Sequence, residues 1–92
     1  MRLNVLAHHM RTAGDERRLR IICHLMKRKQ LCVSDIASDF GMSVAAVSHH
    51  LQVMTKEGLV DSLRDGKRIC YRLSETPFTV GLTKFIRAHG KL

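Results

Sequence analysis

The pattern that most restricts how this chain can fold lies between Val33 and Leu51, where Ala37, Gly41 and Val47 follow one another at offsets of four and six residues. Two short helices that cross closely need a small residue at the crossing, a glycine in the turn and an apolar anchor behind the second helix. Ala37, Gly41 and Val47 supply these in turn, and Ile36, Phe40, Leu51 and Met54 are placed to fill the shared core. The pattern predicts one helix over Val33–Phe40, a turn at Gly41-Met42, and a second helix capped by Ser43 that runs to about Glu57, with Gly58 as its C-terminal cap. A helical hairpin with no nucleic-acid role would carry the same anchors.

What a plain hairpin leaves unexplained is the outward face of the second helix. That face carries Ser43, Ala45, Ala46, Ser48, His49 and Gln52, where a solvated helix usually carries Lys and Glu. Small side chains allow close approach to a DNA major groove, Ala can touch a thymine methyl, and Ser, His and Gln can bond to base edges. These six are the candidates for base readout. His50 stays open between support and contact.

Either side of this unit the periodicity is equally legible. Leu3, Leu6 and Met10 recur at helical spacing over Leu3–Ala13, Gly14 ends that run and Asp15 can cap the next. A second helix over about Glu16–Arg28 puts Leu19, Ile22, Cys23 and Met26 on one stripe and Arg17, Arg18, Arg20 and Lys27 on the other face. Gln30-Leu31-Cys32 reads as a short extended link. From Leu59 the period changes from 3.6 to 2, giving strands over Leu59–Arg64 and Lys67–Leu73 joined at Asp65-Gly66, a strong hairpin signal. Thr76-Pro77 then opens a last helix with Phe78, Leu82, Phe85, Ile86 and His89 on one stripe. The expected fold is mainly α with a small β-hairpin, in the order α-α-α-α-β-β-α. It forms one domain over 1–92, with the helix-turn-helix at 33–57, a hairpin at 59–73 and a C-terminal helix at 77–89.

Charge adds the first indication of a partner. Sixteen Lys and Arg against eight Asp and Glu give a net charge of +8, which favours a polyanion and, for a short domain, nucleic acid. Arg64, Lys67 and Arg68 cluster at the hairpin tip, which suits a wing gripping phosphate or an adjacent minor groove. A solvated loop tip would also be charged. No nucleophile–base pair, carboxylate pair or phosphate-binding glycine loop stands at useful spacing, so an enzyme is not expected. The apolar run Leu3–Ala7 is too short for a signal peptide or a membrane span, which points to the cytoplasm and to no membrane partner. In that setting Cys23, Cys32 and Cys70 should be reduced thiols, and an odd count argues against a disulfide framework.

Leu31-Cys32-Val33-Ser34-Asp35-Ile36-Ala37, the run from Ser43 to Gly58-Leu59-Val60, and Asp65-Gly66-Lys67-Arg68-Ile69-Cys70-Tyr71-Arg72-Leu73 resemble the ArsR/SmtB winged helix-turn-helix repressors. Gly14-Asp15-Glu16-Arg17-Arg18-Leu19-Arg20-Ile21-Ile22 is similar to that family's second-helix opening. The resemblance implies a homodimer formed through the first and last helices, bound to an imperfect palindrome and released by an inducer. The apolar stripes Leu3/Leu6/Met10 and Phe78/Leu82/Phe85/Ile86 fit such an interface independently, since each is costly to expose on a small monomer.

For the inducer the residues say less. Cys32 matches the first thiol of the family's Cys-x-Cys metal box, but Ser34 holds the second place and Ala37 a third. One thiolate makes no typical thiophilic site, so Cys32 is a weak metal candidate and no cofactor is certain. Its place at the N-cap of the third helix would favour a thiolate, which leaves a sensing role and an inert one equally open. Cys23 matches the second-helix thiol of the family's redox and persulfide sensors, yet the last helix has no cysteine to partner it. A plain core role suits it as well. Cys70 alternates away from Ile69, Tyr71 and Leu73 and is expected to be half-exposed, able to react or to bridge to another thiol, although a cysteine in such a strand is commonly inert. His8, His9 and His24 are candidate nitrogen ligands only if they converge, and adjacent histidines on a helix point about 100° apart. Two readings follow: a dimeric DNA-binding repressor released by a thiol-reactive or thiophilic-metal signal, or a thiol-, metal- or partner-binding winged helix without an operator.

Overall fold

The computed structural model describes residues 2–90. Its elements are α1 (Leu3–Ala13), α2 (Glu16–Lys27), β1 (Leu31–Cys32), α3 (Val33–Phe40), α4 (Val44–Lys56), β2 (Val60–Asp65), β3 (Arg68–Leu73) and α5 (Pro77–Ala88). The helix boundaries follow local chemistry. The Asp15 carboxylate accepts the Arg17 and Arg18 backbone N–H groups at the start of α2, and the Ser43 hydroxyl accepts the Ala46 N–H at the start of α4. At α5, Pro77 occupies the first turn and Thr76 caps it, while the Thr79 hydroxyl donates back to the Ser74 carbonyl.

Two glycines end the helices of the helix-turn-helix in the same way. Gly41 is left-handed at φ 62°, and the Met42 N–H returns to the Ala37 carbonyl at 3.0 Å. Gly58, at φ 75°, lets the Leu59 N–H reach the Met54 carbonyl at 2.8 Å. Both are six-to-one Schellman closures, and each turns the chain while giving two of the last-turn carbonyls a partner: Ala37 and Ser38 in the first, Met54 and Thr55 in the second.

The core gathers the apolar faces of all the later elements. Ile21, Ile22, Leu25, Ile36, Val47, Leu51, Met54, Leu59 and Val60 are buried together, with Ile86 of α5 and Tyr71 of β3 closing the cluster. Ala37 is buried at the α3–α4 crossing, where a larger side chain would hold the helices apart.

The sheet departs from the expected two-stranded hairpin. It has three antiparallel strands in the order β1-β3-β2, because Leu31 and Cys32 pair with Tyr71 and Cys70 instead of forming a bare link. A two-residue strand is too short to show a period of two, so its partner alone defines it. This third strand also decides burial along β3. Cys70 and Tyr71, the two β3 residues with neighbours on both sides, are buried, while Ile69 one step toward the tip is exposed. The expectation of a half-exposed Cys70 is therefore corrected: it is fully buried.

The hairpin turn also shifts by one residue. Asp65 pairs with Arg68, so the two-residue loop is Gly66-Lys67 and not Asp65-Gly66. Gly66 has φ 63° and no non-glycine residue among those described has positive φ, the pattern of a II′ turn with Gly in first place.

Candidate nucleic-acid interface

The six residues expected to read bases lie together on one side of α4 and its cap. Ser43, Ala45, His49 and Gln52 are exposed, and Ala46 and Ser48 are half-exposed. Opposite them Val47, Leu51 and Met54 are fully buried, which fixes the rotation of the helix and hence what it shows to solvent. Two of the outward groups already have local partners. The Ser43 hydroxyl caps α4 at 3.1 Å, and Gln52 Nε2 donates to Ser48 Oγ at 3.3 Å. Both hydroxyls keep a proton to donate outward. Val44, also exposed, adds an apolar edge that the charge pattern gave no reason to single out.

Just behind this face the structure builds a support that sequence reasoning missed. Arg18 of α2 donates Nε–H to His50 Nδ1 at 3.1 Å, and its Nη1 reaches the Thr12 carbonyl at 3.4 Å. Because Nδ1 accepts, the ring proton sits on Nε2. Burial first, and the Arg18 guanidinium second, hold His50 below the usual histidine range, so the neutral imidazole is favoured. Asp15 lies below the usual carboxylate range mainly because it accepts the Arg18 backbone N–H. The geometry thus gives His50 a supporting bond, tying α4 to α2. Thirty-two residues separate Arg18 from His50, and only the packed α1–α2–α4 arrangement brings them together.

The C-terminal end of α4 is tied to α1. His8 Nε2 donates to Glu57 Oε1 at 2.8 Å, while His9, one residue on, packs at a tilt against the ring of Phe78 of α5. His24 donates to Asp39 of α3 at 2.9 Å, and Arg20 lies over the Phe40 ring at 4.9 Å. The candidate nitrogen ligands are therefore scattered. Among the described residues no group of three or more His, Cys, Asp or Glu side chains could hold a metal ion.

The basic hairpin tip divides in two. Arg64 and Lys67 are exposed on β2 and in the turn. Arg68 instead reaches back to α3, donating to Asp35 Oδ2 at 3.0 Å and Ser34 Oγ at 3.4 Å. Asp35 Oδ2 also accepts the Cys32 N–H at 3.3 Å, so one carboxylate links the wing, the start of α3 and the end of β1.

The cysteines differ most from expectation. Cys32 is the N-cap residue of α3, as read from the sequence, but it holds no free thiolate: its sulfur is bonded to that of Cys70 directly across β1–β3. The expectation of three reduced thiols is corrected to one, Cys23. Counting cysteines misses this because an odd total is compatible with one bridge, and the bridge depends on a strand pairing that sequence periodicity did not reveal. Cys23 lines a groove of about 700 Å³ between α1 and α5, with Leu6, Met10, Leu82 and Phe85. Burial pushes its thiol up from the ordinary range, which makes it a weak nucleophile. No helix among the described residues is long and apolar enough to cross a membrane.

Known proteins share this architecture. The family model described as bacterial regulatory protein, arsR family, matches residues 15–62, from the α2 cap into β2. The cadmium resistance transcriptional regulatory protein CadC of Listeria innocua is 49% identical over 58 residues, covering 63% of this chain and 49% of its own length. This chain thus spans about half the length of that relative. Among solved structures, HlyU from Vibrio cholerae superposes with a TM-score of 0.85 at 27% identity, covering 99% of this chain and all of that one. A homodimeric winged helix-turn-helix DNA-binding domain from Mycobacterium bovis superposes at 0.81 with 28% identity, covering 94% and 78%.

Proposed function

Because the chain belongs to the ArsR family of bacterial regulatory proteins, we propose that it is a homodimeric DNA-binding transcriptional regulator that occupies a two-fold symmetric operator and is released by a thiol- or metal-linked signal. The observation that carries this reading is the outward face of α4. Its core side is locked by Val47, Leu51 and Met54, and its free side is made of small and neutral hydrogen-bonding groups. Ser43, Ala45, Ala46, Ser48, His49 and Gln52 read the major groove, and Arg64 and Lys67 hold phosphate at the wing. Arg68 serves the wing chiefly by tethering it to Asp35.

The dimer rests on the α1–α5 face. Leu3, Met10 and Phe85 are more than 60% exposed, an apolar surface continuous with the groove over Cys23 and unfavourable in water for a domain of this size. A second copy covers it, as the homodimeric state of the Mycobacterium bovis domain suggests. Two-fold symmetry then sets the two α4 helices about one DNA turn apart. For the signal, the cadmium regulator of Listeria innocua makes a thiophilic metal a natural candidate. Cys23 and Cys32 are the candidate thiols, and Cys32 becomes available only when its bond to Cys70 opens.

Selection from a random DNA pool should enrich a palindromic site whose affinity falls steeply with salt. Ser48→Ala and His49→Ala should each weaken that site by about 1–3 kcal/mol while leaving the fold intact. Wild-type affinity in both variants would remove α4 as the reading helix. No enrichment at all would favour a winged helix that binds a partner or a metal without an operator.

A further inference from the structure

We propose that Cys32 and Cys70 form a reversible covalent clasp that couples the wing to the helix-turn-helix, so that reduction by a low-molecular-weight thiol loosens the wing and weakens DNA binding. The consequence for DNA rests on the function proposed above; the clasp itself does not.

The placement of the bond argues for this. Cys32 ends β1 and caps α3, the first helix of the helix-turn-helix, while Cys70 sits in the central strand of the sheet that carries the wing. β1 is two residues long and lies at the sheet edge, so Leu31 and Cys32 are its whole ladder. A strand that short contributes too few hydrogen bonds to hold α3 against the wing. Beyond the bond, side-chain ties from the wing to α3 come from Arg68, through Asp35 and Ser34, and the ion pair is about half exposed on both sides. Solvent-exposed pairs of this kind contribute little. Tyr71, Leu59 and Val60 anchor the root of the wing in the shared core, and the Cys32–Cys70 bond adds the one covalent tie between β3 and the start of α3, a tie that a thiol can break.

The chemistry is a thiol–disulfide exchange. The small thiolate attacks one sulfur, the Cys32–Cys70 bond breaks, and the departing cysteine sulfur takes up a proton. A second small thiol attacks the mixed disulfide, freeing the other cysteine as a thiol and leaving as the oxidised small-molecule disulfide. Two electrons pass from the two small thiols to the protein, and the reverse exchange restores the bond. Cys70 is fully buried and Cys32 nearly so, which means the attacking thiolate gains access only when β1 lifts from β3. Exchange is accordingly gated by opening of that edge strand. Cys23, which lines the α1–α5 groove and is not disulfide-bonded, takes no part.

The direction of the effect follows from pre-organisation. With the bond closed, the wing is already ordered relative to α3 and α4, and DNA binding need not order it. With the bond open that ordering falls to the binding step, weakening operator affinity about five- to tenfold.

The test has two arms on the 92-residue protein. In the first, protein equilibrated with an oxidised/reduced glutathione buffer is unfolded and alkylated with and without prior reduction, then mapped by mass spectrometry. The expected result is one alkylated thiol, Cys23, before reduction and three after it. Three alkylated thiols before reduction, even in the most oxidising buffer, would overturn the clasp. In the second, amide exchange at β1 and the first turn of α3 is compared between oxidised protein, reduced protein and Cys70→Ala. Faster exchange in the last two supports coupling, and unchanged exchange overturns it. Operator titration of the same three samples, with circular dichroism confirming that each is folded, should show the five- to tenfold loss. Equal operator affinity in all three would refute the link to DNA while leaving the alkylation result standing. Absence of operator binding in every sample would instead refute the proposed function.

Discussion

The α3–α4 unit and the wing face the same proposed ligand but are held by opposite means. Behind α4, Val47, Leu51 and Met54 are fully buried with Ile36 and the α2 stripe, so the outward face of α4 is positioned by close-packed apolar contacts that solvent and salt barely touch. The wing is a two-stranded ribbon beyond Cys70. Its tip is shaped by one glycine turn and anchored by one half-exposed ion pair, and its root is held by Leu59, Val60 and Tyr71 in the core and by one buried sulfur–sulfur bond. The proposed recognition surface, which must hold a fixed rotation, is built on core packing. The tip proposed to follow the ligand's backbone depends, beyond its packed root, on bonds that can be broken one at a time.

The sharpest way to break this comparison is to remove a core anchor. Leu51→Ala leaves a cavity under α4 and should cost about 2–5 kcal/mol, a large share of the stability of so small a domain. Ile69→Ala, on the exposed wing, should change stability by less than about 0.5 kcal/mol. Urea unfolding of the two variants side by side decides it, and similar losses would show that the wing is packed as tightly as the helices.

The turn comes next. Gly66→Ala meets no neighbouring atom, so its expected cost of about 1–2 kcal/mol arises only from placing a Cβ at φ 63°. A thermal midpoint equal to wild type would indicate a turn of another class. Arg68→Ala tests the tether and should cost at most about 1 kcal/mol, with the loss shrinking further as salt is raised. A loss above 2 kcal/mol would mean that the Asp35 junction, and not the disulfide, dominates the wing.

The smallest effect lies behind α4. His50 is held below its ordinary value of 6.5, so the unfolded chain binds the proton more readily than the folded one. Its contribution to stability is complete above that value and is lost as pH falls below it toward the folded value. His50→Gln, which keeps an acceptor for Arg18, should flatten that part of the stability–pH curve relative to wild type. Identical curves would show that the imidazole is not held neutral by its surroundings.

Most of the helical framework was legible because its signals are local. Asp15, Ser43 and Thr76 cap helices through bonds spanning two or three residues, Gly41 and Gly58 end them through backbone geometry, and Val47, Leu51 and Met54 mark a buried face by spacing alone. The same locality made the outward residues of α4 readable as the complement of its buried ones. The junctions were not readable for the converse reason. Arg18–His50, Arg68–Asp35 and Cys32–Cys70 join residues 32, 33 and 38 positions apart, and none leaves a trace in periodicity.

The sequence by itself therefore determined where the helices and the wing strands lie, which face of α4 is free, and that the chain is strongly basic. Only the tertiary structure decided that Leu31-Cys32 is a strand, that Arg68 turns inward, and that two of the three thiols are one bond. Each of those outcomes depends on which distant segment packs alongside. That choice follows from the burial of the shared core as a whole, not from the residues that end up touching.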